Sequence, residues 1–312
     1  MLANPAFFRN FVGENMEATR SKHILVTGAY GQLGWELSKI LDRATAVFVD
    51  RDVLDITDGS AVKEFLQGHR FSHVVNCAAY TAVDKAESES EACRQINVGG
   101  LKNIIEAISQ TDTRLINIST DFVFDGLKDQ PYTEEDAVCP LSVYGKTKAE
   151  GERIVLSECP EAIVLRTGWL YSVHGHNFVK TILNRALDGQ PLKVVDDQMG
   201  TPTWAADLAG VIKKILEAPH WVPGLYNYSN AGMTSWYEFA RAIVETAGIK
   251  AEISPCATGE YPATAKRPAF SELDKSKIIK TYAIDIPQWR DSLIKALSNI
   301  RERGLIDLWS LS

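Results

Sequence analysis

The stretch HILVTGAYGQLGWELSKIL, residues 23–41, decides the fold. An unbroken apolar run leads into a G-x-x-G-x-x-G turn at Gly28, Gly31 and Gly34, and a segment of helical periodicity follows directly. Glycines are needed where a chain turns sharply, where a diphosphate must approach bare backbone, and where a helix packs tightly on a strand. The helix N-terminus then offers partial positive charge to the anion. In this strand, loop and helix context the three glycines read as a dinucleotide site in preference to a structural turn.

The alternation continues through AVFVD (46–50), DGSAVKEFLQGH (58–69), HVVNCAA (73–79), EACRQINVGGLKNIIEAISQ (91–110) and RLINIST (114–120). The strands are continuous apolar runs without polar alternation, as in a parallel sheet covered by helices on both faces. The expected fold class is therefore α/β: a doubly wound parallel sheet of Rossmann type with a second, smaller, discontinuous substrate domain. YGKTKAEGERIVLSE (144–158) reads as a long helix and AIVLRTGWLY (162–171) as another buried strand. Residues 23–171 then make the dinucleotide lobe, which also receives part of 205–232, and residues 172–312 make most of the substrate lobe. Segments 127–141 and 255–268 read as loops, and Glu134-Glu135-Asp136 as a solvated run.

A chain of 312 residues is about twice the usual domain length of ~150, which fits two lobes. With 45% hydrophobic and 23% charged residues it is a core-forming chain, and no apolar run approaches the roughly 18 residues that a membrane span needs. Thirty-three Lys and Arg against 40 Asp and Glu give a net charge of −7, which argues against nucleic acid as a partner while allowing a local basic pocket. Five scattered cysteines without a C-x-x-C pair fit a reducing cytoplasm. Residues 1–22 are broken by Arg9, Asn10, Glu14 and Asn15, so they read as a flexible extension instead of a secretory signal, and Met16 offers an alternative start.

Asp50 ends the second strand about 20 residues beyond the glycine loop, where a carboxylate would accept hydrogen bonds from an adenosine ribose. Arg51 beside it could equally pair with a 2′-phosphate, which leaves NADH and NADPH both open. Tyr144 and Lys148 stand at i and i+4 on one helix face, where an ammonium lowers a phenol's pKa and readies it as a general acid. Thr120 ends RLINIST at the sheet edge where ligands collect, so its hydroxyl is expected to polarise a substrate carbonyl beside Tyr144. His174-x-His176 reads as a polar loop with no third ligand, so no metal is expected, and WYEFA (236–240) reads as core packing.

Thr120, Tyr144 and Lys148, taken with the glycine loop, resemble the extended short-chain dehydrogenase/reductases. Within them, VNCAAYTAVDKAESE (75–89), STDFVFDG (119–126), PLSVYGKTKAEGE (140–152), RTGWLY (166–171) and DDQMGTPT (196–203) resemble the dTDP-4-dehydrorhamnose reductase branch. The resemblance implies reduction by NADPH or NADH of the C4 ketone of a dTDP-linked 6-deoxyhexulose, by a monomer or homodimer. It also implies that Gln32, Leu33, Asp50, Asp55, Ile56, Ala79, Tyr80 and Thr81 line the cofactor. Thr120, Asp121 and Trp169 would meet the sugar nucleotide, and Arg267 its diphosphate. The family's R-P-x-N-S-x-L stands here as Arg267-Pro-Ala-Phe270-Ser-Glu-Leu273, with Phe for Asn. That departure keeps open a sibling reductase of another 4-keto sugar, and a non-catalytic dinucleotide-binding subunit of the same fold is the alternative from another class.

Overall fold

Strand β1 (Ile24–Thr27) buries Leu25 on one face and Val26 on the other, and the whole sheet repeats that division. A computed structural model describes residues 24–304; the extension read over residues 1–22 lies outside the described residues. The strands β1, β2 (Ala46–Val49), β3 (His73–Asn76), β4 (Arg114–Thr120), β5 (Ile163–Thr167) and β6 (Gly224–Asn227) form one sheet in the order β6-β5-β4-β3-β1-β2. All five pairings are parallel. Val26, Val75 and Ile116 stand in register and join helices α1 (Gln32–Ile40) and α6 (Ala205–Glu217) in one core. Leu25, Val74 and Leu115 stand in the neighbouring register row and face the opposite way. They pack against α2 (Gly59–Gly68), α3 (Leu101–Ile108) and α4 (Val143–Glu158).

A third core collects α5 (Phe178–Leu187), α7 (Trp236–Ala247) and α8 (Trp289–Glu302) around Tyr171, Phe239 and Leu293. The chain enters it after β5, returns to the sheet for α6 and β6, and leaves again for α7. Within WYEFA, Phe239 is fully buried while Trp236 is only partly covered.

Two loop readings need correction. Ile253–Cys256 pairs in parallel with Leu192–Val195, so Pro255 and Cys256 belong to a short strand. The acidic run is not simply solvated: Glu134 is half-buried and accepts the amide of Asn227 at 2.8 Å, with Asn227 Nδ2 donating to the Tyr132 carbonyl at 2.8 Å. Its carboxylate thereby satisfies a donor on the edge strand β6, an end of the sheet with no further strand to supply acceptors.

The glycine turn is closed by backbone contact. A Cβ at Gly34 would lie 2.3 Å from the Gly28 carbonyl oxygen and 2.7 Å from Ala29 Cα. Neither atom can yield without moving the turn. Gly34→Ala should therefore cost about 1–3 kcal/mol of stability and weaken thermal protection by NADPH, as overpacking against backbone does. A thermal scan with an unchanged melting temperature and unchanged NADPH protection would show that the turn is looser than this packing implies.

Candidate active site

The sheet order reverses between β1 and β3, and ligands of doubly wound sheets sit beyond the carboxyl ends of strands at such a switch point. A cavity of about 290 Å³ opens there, bordered by Gly28, Gly31, Asp50, Asp55, Ile56 and Ala79. Gly28 has φ +68°, and a Cβ on it would stand 2.6 Å from the Ala78 amide nitrogen. The loop thus brings bare backbone to the N-terminus of α1, the cradle a dinucleotide diphosphate requires. Cys77, Ala78 and Ile96 also border the cavity and were not singled out from sequence, because short residues after a strand and one aliphatic residue in a helical segment carry no distinguishing pattern.

Several cofactor expectations change. Leu33 is buried under α1 in the sheet core, so its side chain is not a cavity residue. Asp50 accepts the Tyr30 amide at 2.7 Å and the Arg51 amide at 2.8 Å, bracing the glycine loop with the carboxylate expected for the ribose. Arg51 is bonded to Asp55 at 3.1 Å, an exposed pair of little strength that leaves the guanidinium open to competition. Gln32 spans the lobes, receiving Asn177 Nδ2 at 3.0 Å. Tyr80 donates its hydroxyl to Glu89 at 2.8 Å, and Thr81 is exposed. His174 stacks on Trp35 and meets the Tyr30 carbonyl at 2.9 Å, a structured contact beneath the glycine loop instead of a free polar loop.

Thr120, Tyr144 and Lys148 converge beyond β4. Ser142 caps α4 by accepting the Gly145 amide at 3.1 Å. A Cβ at Gly145 would lie 2.2 Å from the Phe122 carbonyl oxygen, so this glycine lets the first turn of α4 lie against the turn after Thr120. Tyr144 is thereby brought beside the Thr120 hydroxyl. Burial drives the phenol above its ordinary pKa, the Thr120 hydrogen bond pulls it back, and the charge of Asp121 pushes it further up. The lowering expected from Lys148 does not emerge here. The Lys148 ammonium donates to the Ile118 carbonyl at 2.6 Å, and burial brings its own pKa down to about 8, with Glu152 opposing.

Thr120 is also more committed than expected. Its oxygen accepts the Phe122 amide at 3.2 Å and donates to Asp121 Oδ1 at 3.1 Å. With one hydrogen to give, it donates to Asp121 or to a substrate oxygen at any moment, not both, while its second lone pair can accept from the phenol. Asp121 is 1% exposed and its Oδ2 has no hydrogen-bond partner. Burial raises this carboxyl to about 6, eased by Ser271 and Thr120 hydroxyls. Ser271 lies close enough to soften the charge without closing a bond to Oδ2. Gly168 makes room for the carboxylate, since a Cβ there would lie 2.6 Å from Oδ2.

A second cavity, about 380 Å³, is lined by Phe178, Leu192 and Trp236 together with Arg185, Lys193, Lys266 and Arg267. An apolar wall beside cations suits an aromatic ring attached to a phosphate. The resemblance singled out only Arg267 of the four cations: Arg185 and Lys193 lie on separate elements, and Lys266, its neighbour in the same loop, falls outside the R-P-x-N-S-x-L pattern. Two expectations are revised. Trp169 lies flat on Trp236 at 3.6 Å, with the Gly200 backbone against it, so those surfaces cannot stack a sugar. Its φ of +48° is a strained value for a bulky residue, as functional sites often hold. Arg267 is engaged without a ligand: it grips Asp84 at 2.6 and 3.1 Å in a partly exposed pair that a diphosphate would have to compete with. That pair holds the Asp84 carboxyl below its ordinary pKa.

Residues 22–302 match the RmlD substrate binding domain family. The chain is 39% identical over 291 residues to the dTDP-4-dehydrorhamnose reductase of Aggregatibacter actinomycetemcomitans, covering 89% of this chain and 98% of that protein. Among solved structures, the dTDP-4-dehydrorhamnose reductase of Clostridium acetobutylicum is similar with 40% identity and a TM-score of 0.85, covering 89% of this chain and 99% of that one. The Bacillus anthracis enzyme of the same name, solved with NADP, is 34% identical with a TM-score of 0.86 and the same coverage.

Asp121 provides a test by linkage. An acid raised from 3.8 to about 6 holds its proton longer in the native state than in the unfolded one, so its burial destabilises the fold above about pH 6 and not below about pH 4. Asp121→Asn should therefore raise the stability of the ligand-free protein at about pH 8 by at most roughly 3 kcal/mol, a gain that fades towards about pH 4. Denaturant titrations at both pH values measure it, and a gain independent of pH would remove the buried charge as its source.

Proposed function

The chain belongs to the RmlD substrate binding domain family, and on that premise we propose that its residues carry an NAD(P)H-dependent reduction of the C4 ketone of dTDP-4-dehydro-L-rhamnose to dTDP-L-rhamnose. The observation that carries this reading is the meeting of Tyr144, Thr120 and Lys148 beyond β4, beside the cavity framed by the glycine loop. When bound, the nicotinamide supplies the hydride. Gly28, Gly31 and Gly34 hold the diphosphate, with Asp50, Asp55, Ile56, Ala79, Tyr80 and Thr81 towards the rest of the dinucleotide. Neither Asp50 nor Arg51 is committed strongly enough to exclude a 2′-phosphate, which supports use of both NADPH and NADH.

Tyr144 gives its proton to the alkoxide that develops at O4. Burial leaves the phenol protonated at neutral pH but makes it a weaker acid, so the role calls for the positive charge of Lys148 behind it. Thr120 turns its hydroxyl from Asp121 towards the carbonyl oxygen when substrate arrives, and Lys148 holds a positive charge behind the phenol and reaches the nicotinamide ribose. Asp121 uses its unpartnered Oδ2 on the sugar hydroxyls. The second cavity takes the dTDP moiety, with Arg267 on the diphosphate and Trp169 bordering the sugar by an edge. The cofactor lobe is residues 23–171 with α6 and β6, and the remainder is the substrate lobe. The free state of all five cysteines supports a cytoplasmic setting, and no helix among the described residues is long and apolar enough to cross a membrane.

Incubation with dTDP-4-dehydro-L-rhamnose while following reduced nicotinamide absorbance tests the reading directly; NADPH binding without turnover would favour the non-catalytic subunit. Tyr144→Phe should retain cofactor affinity and lose turnover by roughly two to four orders of magnitude, the usual contribution of a placed general acid. Steady-state rates within threefold of the parent would remove Tyr144 as the donor. Asp84→Asn should free Arg267 and tighten dTDP binding by a factor of a few, the range of a partly exposed ion pair, whereas Arg267→Ala should abolish thermal protection by dTDP and spare that by NADPH. Unchanged dTDP binding in both variants would take Arg267 out of the site.

A further inference from the structure

Behind the reacting pair lies a buried polar cluster that the mechanism above does not use. Glu152, one helical turn beyond Lys148, is 3% exposed and receives Arg166 through two bonds, Nε to Oε1 at 2.9 Å and Nη2 to Oε2 at 2.7 Å. The Ser119 hydroxyl donates to Oε1 at 2.5 Å. Arg166 stands on β5 in register with Ser119 on β4, and its guanidinium rests over the Phe124 ring at 4.8 Å, with Nη1 buried and unbonded. Lys148 and Glu152 therefore fasten successive turns of α4 to Ile118 and Ser119, the two residues before Thr120. A buried pair of this kind gives little net stability, so its contribution lies in geometry and charge.

We propose that Glu152 is a positioning residue: clamped by Arg166 and Ser119, it sets the register of α4 against the end of β4, and it presents its carboxylate as the counter-charge to the Lys148 ammonium. Four groups face that ammonium. Glu152 comes from its own helix, Cys77 from beyond β3, Cys93 from the turn Ser90–Arg94, and the β4 edge offers only the Ile118 carbonyl. Both thiols are held protonated by burial, which leaves Glu152 as the one negative charge among them. Arg166 stands behind Glu152 and Tyr144 one turn ahead of Lys148. The inference rests on the reading of Tyr144 and Lys148 as the reacting pair, and loss of turnover in Lys148→Met tests that reading separately.

The experiment is an NMR titration of the Lys148 side chain in the ligand-free protein, paired with the pH profile of kcat/KM. Glu152→Gln keeps the shape and the Ser119 bond but leaves Arg166 uncompensated, so the Lys148 midpoint should fall by about one pH unit or more, and the basic limb of the profile should move with it. Arg166→Met should move both upwards. The paired variant Glu152→Gln/Arg166→Met leaves no lone buried charge and keeps the test open if a single variant does not fold; its midpoint should lie below the parent's and above that of Glu152→Gln. A Lys148 midpoint and pH limb equal to the parent's in the folded variants, whatever their melting temperatures, would reduce Glu152 to a structural contact and overturn the proposal.

Discussion

A buried row of side-chain hydrogen bonds crosses the middle of the sheet, from Thr27 Oγ1 to Asn76 Oδ1 at 2.7 Å and from Asn76 Nδ2 to Asn117 Oδ1 at 2.9 Å. These residues stand in one register row on β1, β3 and β4. Strands that are apolar on both faces specify register weakly, because a slip of two residues exchanges one aliphatic side chain for another. A slip here would leave buried amides without partners, a penalty of about 1–3 kcal/mol for each group. The row therefore fixes how far each strand projects. Everything beyond it, from the glycine turn to Thr120, inherits its position.

Past that row the chain accepts strain that the core does not. Tyr144, Lys148 and Asp121 are each driven by burial away from their charged forms, Trp169 holds a left-handed backbone, and Asp121 keeps an unpartnered oxygen. Such features destabilise the free protein and are tolerated because the sheet and its two helical layers over-determine the site. They also share a direction: each group has unmet interactions that a bound ligand can supply.

Much of the architecture was legible because it depends on spacing along the chain. The turn at Gly28, Gly31 and Gly34 follows from its motif, the strands from unbroken apolar runs, and the Tyr144/Lys148 pair from the 3.6-residue period of a helix, all of them written in consecutive positions. Leu33 shows the limit of reasoning by proximity in sequence. It lies within the glycine turn expected to hold the cofactor, yet the helix turns its side chain into the sheet core. Glu134 shows another, since a charged run reads as solvated until a strand edge needs its oxygen.

The sequence by itself determined the fold class, the place of the glycine turn and the pairing of Tyr144 with Lys148 on one helix, because each rests on local spacing and residue chemistry. Only the tertiary structure decided which partner each polar group holds. Arg267 meets Asp84 from 183 positions away, Trp169 is covered by Trp236, Thr120 spends its hydrogen on Asp121, and Lys148 turns to the Ile118 carbonyl. A side chain's protons and lone pairs go to whatever packing brings within about 3 Å, and packing joins segments whose separation in the chain carries no information about their distance in space.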